Sequence, residues 1–95
     1  MFILVSYDIG ETDSKAGARR LRRIAKTCES YGQRVQFSVF EIKAPPSVWA
    51  KMRLKLLDLM DTDRDSLRFY YLAETTRHEH HGTKAGINLS GPLLF

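Results

Sequence analysis

The sequence predicts an α+β domain of ferredoxin-like order, βαββαβ, with an added C-terminal strand. A near-continuous apolar run, Phe2-Ile3-Leu4-Val5-Ser6-Tyr7-Asp8-Ile9, opens the chain. Two later segments carry apolar residues at helical spacing, and each leads into a stretch rich in β-branched and aromatic residues. Strand, helix, one long or two short strands, helix, strand is the order that lays two helices on one face of an antiparallel sheet. At 95 residues this is a single domain, 1–95, near the lower size limit for a generous core, so a partner subunit that adds buried surface is expected.

Residues 2–9 are apolar almost without alternation, as in a central strand covered on both faces. Gly10 to Ala16 is a polar loop. From Ala18, the residues Leu21, Ile24, Ala25 and Cys28 recur at helical spacing, and Tyr31-Gly32 supplies an aromatic end and a glycine stop. Arg34 to Lys43 is strand-like, but its alternation slips at Phe37-Ser38-Val39, where two strands would meet at a kink. Ala44-Pro45-Pro46-Ser47 ends that stretch and opens a second helix, since proline is tolerated in a first turn. Trp49, Met52, Leu56, Leu59 and Met60 mark its buried face. Asp61 to Asp65 is a polar turn, and Ser66 to Leu72 reads as the next strand.

The core thus covers residues 1–73 and leaves 74–95 as a tail. Its first part, to Gly86, is polar and bears histidines; Ile87 to Phe95 regains apolar alternation. A free apolar terminus invites aggregation, so this segment reads as a strand added to an exposed sheet edge, in the same subunit or, the favoured reading, across a homodimer.

Composition bounds the function. Lys and Arg number 15 against 11 Asp and Glu, a formal charge of +4 that suits a polyanionic partner. The lone cysteine, Cys28, excludes an intramolecular disulfide and reads as a small core residue in a reducing compartment. No apolar run reaches the ~20 residues of a membrane span, and the N-terminus lacks the marks of a signal peptide. A soluble cytoplasmic protein with no membrane partner is expected.

Asp8 is the most informative residue. Burying a carboxylate costs several kcal/mol unless it is paired, hydrogen-bonded or bound to a metal. Its place at a strand exit admits a plain reading, a cap for the following turn, and a sharper one, a site for metal or phosphate chemistry. Lys15, Arg19, Arg20, Arg22, Arg23 and Lys26 crowd the non-core face of the first helix without acids four residues on to neutralise them. That is either a solvated face or a phosphate-contacting surface that positions nucleic acid without reading bases. Arg34 and Ser38, four residues apart in an extended chain, would share a face and could hold a phosphate near Asp8; an edge charge and a kink residue is the alternative. Tyr7 reads as a core or interface aromatic, or as a hydroxyl that orients a water or base beside Asp8. His78, His80 and His81 lack the spacing of a tetrahedral metal site and read as a solvated loop, metal binding being the minor alternative.

Three segments together carry a resemblance: Val5-Ser6-Tyr7-Asp8-Ile9, the Arg-rich helix ending Tyr31-Gly32 with Gln33-Arg34-Val35-Gln36-Phe37-Ser38-Val39-Phe40-Glu41 after it, and Asp65-Ser66-Leu67-Arg68-Phe69-Tyr70. The chain resembles the small CRISPR-associated adaptation protein and endoribonuclease family, Cas-two. The tail Gly91-Pro92-Leu93 is similar to that of the type I-C variant. The resemblance implies a ferredoxin-fold homodimer that exchanges its C-terminal strand and brings two copies of Asp8 together across the two-fold axis. It implies one Mg²⁺ (or Mn²⁺) shared between the subunits and hydrolysis of phosphodiester bonds in single-stranded RNA or double-stranded DNA. Asp8 would be the metal ligand and catalytic residue with Tyr7 beside it; Arg19, Arg20, Arg23, Arg34 and Ser38 would contact nucleic acid. The rival implication is a non-catalytic basic bridge that binds protospacer duplex and joins two dimers of the CRISPR integrase.

Overall fold

The computed structural model describes residues 1–82. The elements run β1 (Phe2–Asp8), α1 (Lys15–Tyr31), β2 (Gly32–Gln36), β3 (Val39–Lys43), α2 (Pro46–Leu59) and β4 (Ser66–Leu72). The strands form one sheet in the order β2-β3-β1-β4. β1 pairs antiparallel with both β3 and β4. Each helix therefore spans a crossover between parallel strands that are not neighbours, and both land on the same face. The strand expected at 87–95 lies outside the described residues.

The period-two geometry of β1 sorts its residues between the two faces. Ile3, Val5 and Tyr7 face the helices and are buried, opposed in register by Ile42 and Phe40 on β3 and by Tyr71, Phe69 and Leu67 on β4. They pack with Ile24 and Cys28 of α1 and with Trp49, Met52 and Leu56 of α2 in one core. Trp49 meets Phe69 edge-on at 5.0 Å between ring centroids. Burial pushes the Cys28 thiol up to about 12, so the group stays protonated and packs as an apolar side chain.

The stretch from Arg34 to Lys43 divides into two strands where the alternation slips, as the βαββαβ order requires; the junction at Phe37-Ser38 is a hairpin turn rather than a kink. In α1, Leu21 is exposed, and Gly17 and Thr27 are buried with Ile24 and Cys28. The loop after β1 runs across the start of the helix so closely that a Cβ on Gly17 would collide with the Glu11 carbonyl oxygen. Just before it, the Ser14 side chain caps α1 by accepting from the Gly17 amide at 3.0 Å. Gly32 ends the helix in extended rather than left-handed backbone; glycine is needed there because a Cβ would strike the Glu41 carbonyl oxygen and the Ile42 side chain.

The loop after β1 is anchored by Asp65, in the turn before β4. Its side chain is fully buried (0 % exposed). One carboxylate oxygen accepts from the Gly10 amide at 3.0 Å and from Arg20 Nη2 at 3.3 Å; the other accepts from Arg20 Nε at 2.9 Å and from the Asp61 amide at 2.8 Å. Arg20 Nη2 also donates to the Gly10 carbonyl at 3.1 Å. One carboxylate thus ties the exit of β1, the first turns of α1 and the turn after α2. Burial alone would raise the Asp65 pKa, but the donors from Asp61, Arg20 and Gly10 together hold it below the ordinary aspartate value. The stability this adds is present above the unfolded-state pKa and is lost as pH falls through the folded one. No helix among the described residues is long and apolar enough to cross a membrane.

Removing one partner of a buried pair leaves the other charge uncompensated, so Asp65→Ala is expected to cost about 3 kcal/mol or more. Urea unfolding at pH 7 checks this; a loss below about 1 kcal/mol would show that the anchor matters little.

Candidate functional site

Both helices lie on one face, so the opposite face of the sheet carries the other half of each strand. On β1 this half is Phe2, Leu4, Ser6 and Asp8. Ser6 pairs with Val39 and Arg68, and Asp8 with Ser66, so these side chains stand on the same side. Asp8 is exposed at the strand end. Among the described residues its carboxylate makes no hydrogen bond or ion pair. A shallow cavity of about 250 Å³ lies there, lined by Ser6, Tyr7, Asp8, Ser66, Arg68 and Tyr70. Tyr70 holds the Arg68 guanidinium pKa above its ordinary value, first through a hydrogen bond and then through charge. On this surface the Arg68 guanidinium and the two serine hydroxyls can meet a phosphodiester, while the Asp8 carboxylate repels it unless a cation lies between them. The Asp8 carboxylate and the Ser6 and Ser66 hydroxyls are hard oxygen donors, of the kind that suit Mg²⁺ or Mn²⁺.

The other sequence-predicted residues lie elsewhere. Tyr7 points to the helix side, donates its hydroxyl to the Phe37 carbonyl at 3.2 Å and stacks on Phe40 at 6.2 Å. Burial, above all, raises its pKa. Arg34 is also on the helix side: it pairs in register with Phe40, lies 5.0 Å over that ring and donates to Glu29 Oε1 at 3.1 Å. Ser38 sits in the β2–β3 turn, and its carbonyl accepts from the Tyr7 amide at 3.1 Å. Arg34 and Asp8 thus face opposite sides of the sheet; the spacing argument failed because the turn at 37–38 breaks the extended chain it assumed. Ser66 and Arg68 were missed as site residues. Their signal was polar alternation along Ser66, Arg68 and Tyr70, which reads as a solvated face until β4 is known to lie beside β1.

The basic run of α1 divides in two. Lys15, Arg19, Arg22, Arg23 and Lys26 are exposed, and no described acid forms an ion pair with them. Arg20 is instead committed to Asp65, with its side chain 16 % exposed, so the structure gives it a folding role and removes it from the free surface. Local helix spacing could not show this, because its partner lies 45 residues away.

Past β4, the chain returns over the helix-free face at the end remote from Asp8. His78 Nδ1 lies 2.9 Å from Glu41 Oε2, and its ring is 5.0 Å from that of Phe2. Phe2 is thereby buried on a face the helices do not cover. Glu41 is buried too, and its Oε1 has no hydrogen-bond partner among the described residues. Burial pushes the Glu41 carboxyl up to about 7, with Lys43 opposing. Burial and then the Lys43 charge lower the His78 pKa. His80 contacts the Gly82 carbonyl at 3.1 Å and His81 contacts Glu79 at 3.3 Å, so the three histidines do not converge. Among the described residues, no group of three or more His, Cys, Asp or Glu could hold a metal.

The architecture, one antiparallel sheet backed by two crossover helices, is that of a ferredoxin-like α+β protein. The family model described as CRISPR associated protein Cas2 matches residues 1–79. A Chlorobaculum tepidum protein named CRISPR-associated endoribonuclease Cas2 is 55 % identical over the full length of both chains. One from Halalkalibacterium halodurans, named CRISPR-associated endonuclease Cas2, is 44 % identical, also over the full length of both. Among solved structures, Cas2 of Streptococcus pyogenes at pH 6.5 superposes with a TM-score of 0.71 at 44 % identity, covering 79 % of this chain and 89 % of that one. A Thermus thermophilus protein described as hypothetical gives 0.67 at 30 % identity, covering 86 % and 93 %. This chain belongs to the Cas2 family.

A raised carboxyl pKa favours the folded state at low pH, and that advantage is lost as pH rises from the unfolded value through about 7. Wild type is expected to lose on the order of 3 kcal/mol from this group over that range. Glu41→Gln should flatten the profile and be the more stable form at pH 8; urea unfolding from pH 4.5 to 8 reads both, and parallel curves would place the sensitivity elsewhere.

Proposed function

We propose that the chain acts in CRISPR adaptation as a homodimer with metal-dependent endonuclease activity on single-stranded RNA or double-stranded DNA. The observation that carries this reading is Asp8: an exposed carboxylate, without a partner among the described residues, at the end of a central strand, on the helix-free face, in a cavity shared with Arg68, Ser6 and Ser66. One such carboxylate is too few ligands for an ion. A second copy packed face to face about a two-fold axis would bring a second Asp8. That face needs a cover, since it presents Leu4, Val39 and Tyr70. Among the described residues β4 is also an edge of the sheet, seven residues long, where a strand from a second copy would pair.

The two Asp8 carboxylates and retained waters fit Mg²⁺ or Mn²⁺. Bound there, the ion would polarise a phosphoryl oxygen and favour deprotonation of a water. Arg68 would draw the phosphodiester to the face and neutralise charge that grows on its oxygens. Ser6 and Ser66 would orient it by hydrogen bonds. Tyr7 supports the strand end from the opposite side through Phe37 and Phe40, outside the reacting group. The sharing of an ion makes activity depend on dimer formation.

A second reading is favoured by the exposed cations of α1. Lys15, Arg19, Arg22 and Arg23 form a face that gains from a polyanion. On this reading the dimer is a basic bridge that lies along a protospacer duplex and joins two integrase dimers, with no catalysis required.

Labelled single-stranded RNA and duplex DNA, incubated with Mg²⁺, Mn²⁺ or chelator, distinguish the two readings. Asp8→Asn is expected to cut at least about 100-fold more slowly while it remains dimeric. No cutting by wild type, or equal cutting by both, would leave the bridge. For the bridge, Arg19→Glu with Arg22→Glu should weaken duplex binding uniformly across sequences and lower the salt slope by about two. Unchanged binding would clear the α1 face of that role.

A further inference from the structure

The seam between α1 and α2 holds a cavity of about 330 Å³ lined by Arg23, Lys26, Thr27 and Ser30 of α1 and by Lys55 and Leu59 of α2. It is well separated in the fold from the Asp8 face, since the helices cover the opposite side of the sheet. Its size falls in the range of small-ligand sites. The α1 residues recur at i, i+3, i+4 and i+7 and so form one stripe. Lys55 and Leu59, four apart on α2, face that stripe across the seam.

Three cations thus line one concavity from two helices. No described acid forms an ion pair with Arg23, Lys26 or Lys55. Like charges held together repel, so an anion placed among them would be stabilised by all three. The hydroxyls add a second requirement. Thr27 Oγ1 donates its proton to the Arg23 carbonyl at 2.9 Å, and Ser30 Oγ donates to the Lys26 carbonyl at 2.9 Å. With their protons committed, both oxygens are left as acceptors. Thr27 is buried and Ser30 is exposed, so Ser30 is the acceptor a ligand can reach. A bare inorganic anion would use the cations alone. A ligand with a phosphate and a hydroxyl donor would also satisfy Ser30, and its apolar part would rest on Leu59.

We propose that this seam binds a ribose-phosphate group, with the phosphate on Arg23, Lys26 and Lys55 and a ribose hydroxyl donating to Ser30. The group can belong to a free ribonucleotide or to one nucleotide of an RNA strand; the recognising chemistry is the same. Lys55 is the diagnostic residue, because it lies on α2, outside the α1 cations invoked for duplex bridging and far from Asp8.

An amide ¹H–¹⁵N NMR titration of the whole protein tests this with 5′-AMP, its 2′,3′-dideoxy analogue, inorganic phosphate, a short RNA and the DNA of the same sequence. Shifts are expected to gather at 23, 26, 27, 30 and 55, to weaken about tenfold in affinity with Lys55→Glu, and to favour AMP over its dideoxy analogue. Ser30→Ala should abolish that preference and leave phosphate binding intact. Response to AMP alone identifies a free nucleotide as the source, and response to RNA alone identifies the polymer. Absence of shifts with every probe, shifts confined to the 15–22 end of α1, or an unaltered response in Lys55→Glu would overturn the proposal. In Asp8→Asn the shifts at the seam with 5′-AMP should match those of wild type, so failure of the strand-end chemistry and failure of the seam site are told apart.

Discussion

Every feature of the strand end depends on where the Asp65 carboxylate sits. Its side chain is fully buried, and four donors from three segments close on it. Such an arrangement is stable only as a unit, because a buried ion with one donor removed is left partly unpaired. Ser66 follows it directly and pairs with Asp8. The node therefore sets the start of β4 against the end of β1, and with it the distance from Arg68 to Asp8. Arg20, drawn inward to complete the node, is withheld from the cationic surface that its neighbours form.

The crossover geometry divides the molecule's labour. Both helices cover one face, which takes the aromatic and aliphatic half of each strand and becomes the core. The other face inherits the alternate residues, and these are mixed: Phe2 and Leu4 at one end of β1, Ser6 and Asp8 at the other. The segment after β4 covers the apolar end through His78, Phe2 and Glu41. Among the described residues nothing covers the polar end, where Asp8 is exposed. A buried Glu41 that favours its neutral form is compatible with that cover, whereas an ionised one would have to be desolvated without a full set of donors.

Element types and their order were legible because each rests on local periodicity. The Pro45-Pro46 opening of α2, the polar turn at Asp61 to Asp65 and β4 from Ser66 to Leu72 were all read where they stand. The break near Phe37 was legible from the slipped alternation, and its reversal only through the βαββαβ order as a whole, since a slipped alternation does not by itself report the next strand's direction. Helical spacing also places Leu21 beside Ile24, yet Leu21 is exposed, while Gly17, four residues before it, is buried under the loop from β1.

What the sequence determined by itself is therefore the run of elements, the suspicion attached to Asp8, the excess of arginine on α1 and the family these compose, because each is written in neighbours along the chain. What only the tertiary structure decided is which side chains share a surface. Arg34 and Tyr7 turn to the helix side, Arg68 and Ser66 come round to Asp8, Arg20 pairs with an acid 45 residues distant, and Lys55 lines one cavity with Arg23 at the helix seam. The physical reason is that a face is assigned by strand register and crossover hand together, and neither is a property of any local stretch of sequence.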